Sequence, residues 1–490
     1  MTRRAATGIA GAVGLIAVLT LIARAAGFGR TLVFADSVRA SGIGDVYTIV
    51  NAVPNVVHEV AAGGALAAVT VPLIAAHLGR GRREQAHATA STLLSWALVI
   101  LVPLALLVWV LAEPISEVLV PAHIPDGVRT GATMLRVFAV QIPLYGLAIV
   151  VSGLLHAHSR FAAVAVAPLV SSVVVMVTYA AYGSIAEGAT TGVPSHAIQV
   201  LAWGTTAGVA ALALPLLVPA WRSGWRYRPS LRFSGDDGAR ARRLAGAGLI
   251  ALAAQQVATL ASLRIAATYG GGEGAASVYT WILAVVMLPY AVLVIPLATA
   301  AFPALAARAA SDPVGEEAVV QRTRADAERL LGRAFHVAVL LGVVGALALV
   351  LISPAVGAVF SYLDARRGSG TVSGAAVPAM AAGLRAFAPG LVGFGVQALL
   401  TRALYVRGRP LTAGLAVALG WLVAVAVPAV ALTSGSGAGD TVLLLGVGWS
   451  VGMTLSAALL VVLAVRHWGR GILTGWSGTL RYLRGRVGPA

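Results

Sequence analysis

The stretch L-I-A-R-A-A-G-F-G-R-T-L-V-F-A-D (21–36), with G-D-V-Y-T-I-V-N-A-V-P-N-V-V-H-E-V-A-A-G-G-A (44–65) and V-T-V-P (69–72) behind it, decides how the rest of the chain is read. It is apolar enough to lie in a membrane, yet it carries Arg24, Arg30, Asp45, His58 and Glu59, with Pro54 and Asn55 between them. Ionisable groups at bilayer depth are costly and persist where they face a protein-lined, water-filled cavity. The stretch therefore predicts two helices that form the wall of such a cavity, and a chain organised to build and move it.

The composition agrees with a membrane setting. Hydrophobic residues make up 59% of the 490 and charged residues 11%, with mean hydropathy +0.88; a soluble domain averages about 25% charged. Apolar runs of about 20 residues recur along the chain, which is the length of a membrane-crossing helix. A β-barrel needs short alternating segments instead, so the fold class expected is an all-α polytopic membrane protein. The net charge is +17 and every basic residue is Arg. These Arg residues sit in short loops between apolar runs, which reads as membrane topology and not as a nucleic-acid surface. The absence of Cys excludes disulfides and thiolate metal sites. Arg3 and Arg4 precede an apolar run and mimic a secretory signal, but the run leads straight into Arg24 and a second span. It is read as a retained first helix.

Twelve spans are expected, at about 7–30, 43–77, 89–112, 131–155, 162–183, 197–220, 244–269, 276–306, 332–360, 376–404, 411–432 and 441–465. With the N-terminus inside, Arg concentrates in the loops after the even-numbered spans and in the tail. The opposite loops hold little beyond Arg39, Arg129, Arg366 and Arg367. That alternation follows the positive-inside rule and puts both termini in the cytoplasm. The longest basic loop, Trp221 to Arg243, divides the chain into a six-helix lobe at 1–225, a basic linker at 226–243, a second six-helix lobe at 244–465 and a basic tail at 466–490. G-L-L-H-A-H-S-R-F ends the fourth span and A-L-L-T-R-A-L-Y-V-R-G-R-P ends the tenth, each a basic turn near a Pro. This suggests a parallel repeat with a central cationic cavity between the lobes.

Arg24 and Arg30 are six apart and fall on different faces of an ideal helix; Gly27 and Gly29 between them permit a bend that turns both to one cavity. A guanidinium there suits an anion, since it forks onto phosphate oxygens and stays charged. The bland reading of Arg30 is snorkelling to the interface. In the second span Asn55 and Glu59 share a face, with His58 on its edge. His58 and Glu59 read as a proton-coupling pair or as a structural ion pair with Arg24. Asp45 is a coupling carboxylate or a helix cap. Pro54 and Pro289 lie inside over-long spans and predict kinks or unwound turns there. Gln255, Gln256 and Arg264 interrupt the seventh span, and Arg264 reads as a second cavity cation. Gln397 lies in the tenth span between Arg385 and Arg402, and Arg402 reads as interfacial. The H-x-H of His156 and His158 has no third ligand, so no metal is expected. No phosphate loop of the G-x-x-x-x-G-K type, Ser-His-Asp set or carboxylate pair is present, which argues against an enzyme and against a cofactor.

Several of these residues fall in a gapless register with a known pattern: R-x-x-G-F-x-R (Arg24, Gly27, Phe28, Arg30), Asp45, P-N (Pro54, Asn55), G-A (Gly64, Ala65) and V-P (Val71, Pro72). S-R-F (Ser159, Arg160, Phe161) with A-P (Ala167, Pro168), L-A-W at 201–203 with Gly208, L-P (Leu288, Pro289) and P-A-L at 303–305 continue it. The chain, to about residue 465, resembles the MurJ/MviN family of lipid II flippases, in the multidrug/oligosaccharidyl-lipid/polysaccharide exporter superfamily. The resemblance implies movement of an undecaprenyl-pyrophosphate-linked saccharide lipid from the inner to the outer leaflet of the bacterial cytoplasmic membrane by alternating access. Arg24 and Arg30 would meet the pyrophosphate, Asp45 and Asn55 would hold important positions, and cell-wall synthesis proteins would be possible partners. The chain departs from many members where they carry paired Arg and a Glu, at His58, Glu59 and Gly63, and where Leu283 and Ala284 replace an Asp-Arg. Actinobacterial members are closer, with an acidic residue at the place of Glu59. Many members also have two further C-terminal helices, whereas twelve are expected here. A relative exporting another polyprenyl-linked oligosaccharide, a cation-coupled drug antiporter and a non-transporting scaffold are the alternatives. A drug antiporter for cations predicts cavity carboxylates, which are few.

Overall fold

The apolar runs become helices in a computed structural model that describes residues 3–61, 66–233, 237, 238, 249–295, 297, 305, 317–368 and 370–476. Among the described residues no strand occurs. Among the described residues nine helices are long and apolar enough to cross a membrane, and a bent pair, Val377–Phe387 with Gly390–Val406 at 50°, makes a tenth. The other two expected spans correspond to α1 (Arg3–Ser37) and to α2 (Ile43–Val60) with α3 (Ala67–Gly79). Gly63, Gly64 and Ala65, and most of 296–306, lie outside the described residues.

The chain forms two compact units. The first comprises Met1–Leu252, Gly270–Ser277 and Val359–Val377. In it α1 packs along α8 (Phe161–Ala186), α8 along α9 (Ser195–Ala213), and α4 (Arg83–Val110) against α3 and α7 (Gln141–Ala157). Short helices α5 (Ala112–Leu119) and α6 (Gly127–Phe138) lead into α7, and α10 (Leu217–Arg222) closes the series. Loops that the Arg pattern assigns to one side meet at one end of this unit. The Ile43 amide donates to the Thr190 carbonyl at 2.9 Å and Gly42 to Gly272 at 3.3 Å, while Ala376 donates to Glu273 at 3.1 Å. At the other end the segment after α10 folds back over α4. Its Trp225, 1% exposed, donates its indole N–H to Ser91 Oγ at 3.2 Å, and Asp237 accepts from His77 at 2.8 Å.

The second unit comprises Ala253–Tyr269, Val278–Ala358 and Pro378–Ala490. Here α11 (Leu249–Gly270) is followed by α12 (Ala275–Pro289), which passes into one wide turn at Tyr290–Val294 with i→i+5 bonding. This is the irregularity expected at Pro289, whose missing N–H breaks the ordinary ladder. The 50-residue α13 (Glu317–Arg366) follows, then α14 (Met380–Phe387), α15 (Gly390–Val406), α16 (Pro410–Ala431) and α17 (Ala438–Trp468). After α17 the chain turns at Gly469 (φ 109°) and folds back over α13, where the Gly471 amide donates to Glu328 and Trp476 stacks on His336 at 4.1 Å. Each unit thus ends its series of helices with a Trp-bearing segment laid back on one of its own helices.

With lipid as the solvent, hydrophobic burial does not drive helices together; close packing of small residues does. Gly448 and Gly452 on α17 meet the Ala424 and Gly420 carbonyls of α16, and a Cβ at Gly452 would run into the Gly420 oxygen. Gly452→Leu should therefore destabilise the purified protein by about 1–3 kcal/mol, the range for overpacking. Val451→Leu, on an exposed position of the same helix, should leave the melting midpoint unchanged. Equal midpoints for the two variants would show that α16 and α17 do not pack at this crossing.

Candidate functional site

α1 carries Arg24 and Arg30 and α2 carries Asn55, His58 and Glu59, all in the first unit; of the two guanidiniums, Arg30 is the one near the α2 and α7 side chains. α1 runs unbroken through Gly27 and Gly29, so the bend expected there is absent. Helical geometry is kept, and the space beside Gly27 is open for 4 Å. Arg24 and Arg30 are both exposed on a helix that the sequence reads as a membrane span, where a charge favours a hydrated surface over lipid. Arg24 makes no hydrogen bond or ion pair among the described residues. Arg30 acts electrostatically on Tyr47, Tyr145 and Tyr179.

α2 is continuous through Pro54. It presents Asn55 and Glu59 on an exposed face and sets His58 half-buried at its edge, as their spacing predicts. The Tyr145 hydroxyl of α7 donates to Asn55 Oδ1 at 3.1 Å, and its ring lies 4.4 Å from that of His58. Behind them Tyr47 OH shares hydrogen bonds with Tyr179 OH at 2.9 Å and Thr205 Oγ1 at 3.1 Å. Gln141 donates to Thr206 at 3.0 Å. These aromatic and hydroxyl groups fix the wall's shape, and the sequence reading missed them. Tyr and Thr in apolar helices look like ordinary core residues until the third dimension pairs them.

The ion pair between Arg24 and Glu59 does not form. Glu59 sits 4.0 Å from its neighbour His58 and is 58% exposed, so both charges stay solvated and neither needs the other. Asp45 is fully buried and belongs elsewhere. Its carboxylate accepts the backbone N–H groups of Gly274 at 2.9 Å and Ser277 at 3.0 Å, capping the N-terminus of α12. It is a cap for a helix distant in sequence, where free N–H groups and the helix dipole favour an anion. Arg264 is half-exposed in the second unit, its guanidinium donating to Thr268 Oγ1 one turn along its own helix at 2.7 Å. Arg402 likewise donates to the Ala398 carbonyl at 2.6 Å on its own helix.

A second cluster, at the loop end that carries Asp45, was not foreseen as a unit. Asp36 accepts from Arg366 at 2.6 Å and Arg367 at 3.1 Å. Arg39 donates to the carbonyls of Asp364 at 2.7 Å, Gly188 at 2.8 Å and Thr371 at 2.7 Å. The signal available was the isolation of Arg39, Arg366 and Arg367 in Arg-poor loops. No group of residues able to hold a metal ion occurs among the described residues.

Charged and polar side chains exposed on apolar helices fit the class of multi-pass membrane transporters. Solved structures share the fold. A lipid II flippase MurJ in an inward closed conformation aligns with TM-score 0.67 and 15% identity, covering 97% of this chain and 93% of that one. An inward-facing multidrug resistance MATE transporter of the MOP superfamily aligns with TM-score 0.68 and 16% identity, covering 91% and 96%. Likeness at this identity establishes the fold alone. Residues 34–487 match the family model described as lipid II flippase MurJ, and the chain belongs to that family. It is 25% identical over 486 residues to the lipid II flippase MurJ of Burkholderia cenocepacia, covering 96% of this chain and 86% of that protein. The chain is thus a transporter and not an enzyme.

Proposed function

We propose that this protein carries an undecaprenyl-pyrophosphate-linked peptidoglycan precursor, lipid II, from the inner to the outer leaflet of the bacterial cytoplasmic membrane. The observation that carries the reading is the pair of guanidiniums, Arg24 and Arg30, exposed on the apolar helix α1 of a lipid II flippase family member. A pyrophosphate supplies the charge such groups lack and accepts forked hydrogen bonds from them. Asn55 adds a neutral polar group. His58 and Glu59 are placed to exchange a proton as the headgroup comes and goes. Pro54, Pro289 and the turn after it supply the compliance that alternating access needs, with Gly27 and Gly29 available to α1. Asp45 caps α12 and fixes the start of that helix. A cationic drug is the poorer cargo, since Glu59 is the lone carboxylate on this wall among the described residues. Transport, not scaffolding of cell-wall enzymes, is the activity.

The deciding experiment is complementation of a bacterium depleted of its own flippase, with leaflet-specific detection of lipid-linked precursor. Growth restored by wild type and lost with a charge-neutral wall supports the reading. Growth restored equally by both would favour a scaffold, and failure of wild type to export the precursor would point to another polyprenyl-linked cargo.

Orientation gives a separate expected result. Both termini and the segment Trp221 to Arg243 should face the cytoplasm, because Arg concentrates there. The Cys-free chain makes single-Cys labelling clean. A Cys placed at exposed Ser230 should react with an impermeant thiol reagent only after the cells are opened; reaction in intact cells would reverse the topology.

A further inference from the structure

The segment Trp221–Phe233 crosses the first turns of α4 as an extended strap. Side chains of α4 hold it by its backbone: the Arg228 amide donates to Ser91 Oγ at 3.3 Å and the Ser230 amide to Ser95 Oγ at 3.1 Å. Trp96 donates its indole N–H to the Leu231 carbonyl at 3.0 Å. Between strap and helix lies a cavity of about 510 Å³, lined by Glu84, Gln85, His87, Arg226 and Arg228 among others. That volume is within the range of small-ligand pockets.

The charges in this cavity do not satisfy one another. Arg226 gives one nitrogen to the carbonyls of Trp221 and Trp225, at 2.9 and 3.1 Å. The Arg228 guanidinium and the Glu84 carboxylate, both exposed, make no hydrogen bond or ion pair among the described residues, although they line one cavity. His87 Nε2 is buried there without a partner among the described residues. A simple anion would leave Glu84 facing like charge, and a simple cation would leave two guanidiniums idle. A ligand carrying phosphate beside a primary ammonium satisfies both.

The outer surface of the strap says where such a ligand comes from. Trp221, Tyr227 and Leu231 are exposed large side chains, with Trp96 beside them on α4. Aromatic and aliphatic groups next to Arg mark a segment lying at the membrane–water interface.

We propose that this cavity binds the headgroup of a zwitterionic aminophospholipid of the cytoplasmic leaflet. Arg226 and Arg228 take the phosphate, Glu84 takes the ammonium, and the acyl chains leave over Tyr227 and Leu231. The site shares no residue with the polar wall, so it stands or falls apart from the transported lipid.

The test is lipid retention by the delipidated full-length protein, read by native mass spectrometry with phosphatidylethanolamine, phosphatidylcholine and phosphatidylglycerol added in turn. Wild type should retain phosphatidylethanolamine about ten-fold better than phosphatidylcholine, whose quaternary nitrogen offers Glu84 no N–H donor, since a hydrogen bond to a charged group is worth roughly a decade. Glu84→Gln and Arg228→Gln should each remove that preference, while Glu117→Gln, on an exposed position of α5, should keep it. The ratio between lipids is the readout, so a variant that merely lost stability, binding all three less, would not mimic the effect. A preference unchanged in Glu84→Gln, or phosphatidylglycerol retained above phosphatidylethanolamine by wild type, would overturn the assignment. Displacement of the lipid by soluble phosphoethanolamine at equal concentration would overturn the membrane origin of the ligand.

Discussion

Arg24→Ala should reach the membrane at normal levels and lower outward movement of lipid-linked precursor by about one to two decades, with Arg24→Lys falling between it and wild type. The first half of this expectation comes from the geometry. Arg24 is exposed and makes no ion pair among the described residues, and Glu59 keeps solvent and His58 as company. Removing the guanidinium therefore orphans no buried carboxylate, the event that makes broken pairs costly. The second half comes from the proposed cargo. A hydrogen bond to a charged group contributes roughly 1.5–3 kcal/mol, and at about 1.4 kcal/mol per decade that is one to two decades. Lys keeps the charge and loses the planar fork, so it should rescue in part. The measurement is leaflet-specific detection of the precursor in cells that depend on the variant. Wild-type transport by a stably expressed Arg24→Ala protein would remove Arg24 from the headgroup site.

The helices and the polar face of α2 were legible in the sequence because both are local. Asn55 and Glu59 share a face through a four-residue spacing, and Pro289 announces a break through its missing donor. What the sequence hid depends on residues far apart in it. Asp45 looked like a coupling group or a cap for its own helix, yet it caps α12, more than two hundred residues on. Asp36 and Arg366, 330 positions apart, carry no periodic signal that would pair them. The strap shows a different limit: Trp221 to Arg243 reads as a solvated basic loop, and its charge count set the topology. Its docking joins backbone amides to Ser91 and Ser95 and buries Trp225 against Ser91, contacts with residues more than a hundred positions away that no local pattern announces. Gly27 and Gly29 are the reverse case. The residues permit a bend, and α1 stays helical because a transmembrane helix already satisfies its own backbone donors and gains nothing by opening them.

Asp364→Ala should destabilise the protein more than any change on the polar wall, by about 3–5 kcal/mol, the cost of breaking a buried pair from one side. The Asp364 side chain is fully buried. Its Oδ1 accepts the Ala40 amide at 2.7 Å and the Ser373 hydroxyl at 2.9 Å, and its Oδ2 accepts the Ser373 amide. The Arg39 guanidinium lies 4.0 Å away and is itself 8% exposed. Alanine at 364 leaves two amides without their carboxylate acceptor and a buried cation with carbonyls alone. Asp364→Asn, which keeps one acceptor oxygen, should cost less, and a double change to Arg39→Met with Asp364→Leu should recover part of the loss, because no charge is then stranded. Melting midpoints of the purified variants give the comparison, with exposed Asp126→Ala as the control; an Asp364→Ala midpoint equal to wild type would mean that this end is held by the backbone contacts of its loops alone. The same bonds join residues between α1 and α2 to the end of α13, and alternating access with this end outside, as the Arg pattern orients it, requires them to part. Val46, fully buried in the first turn of α2, reports on that step when replaced by Cys. In the Asp364→Ala background it should react faster with an impermeant thiol reagent added outside, at temperatures well below the melting midpoint, because the closed state has lost stability that the open state never had.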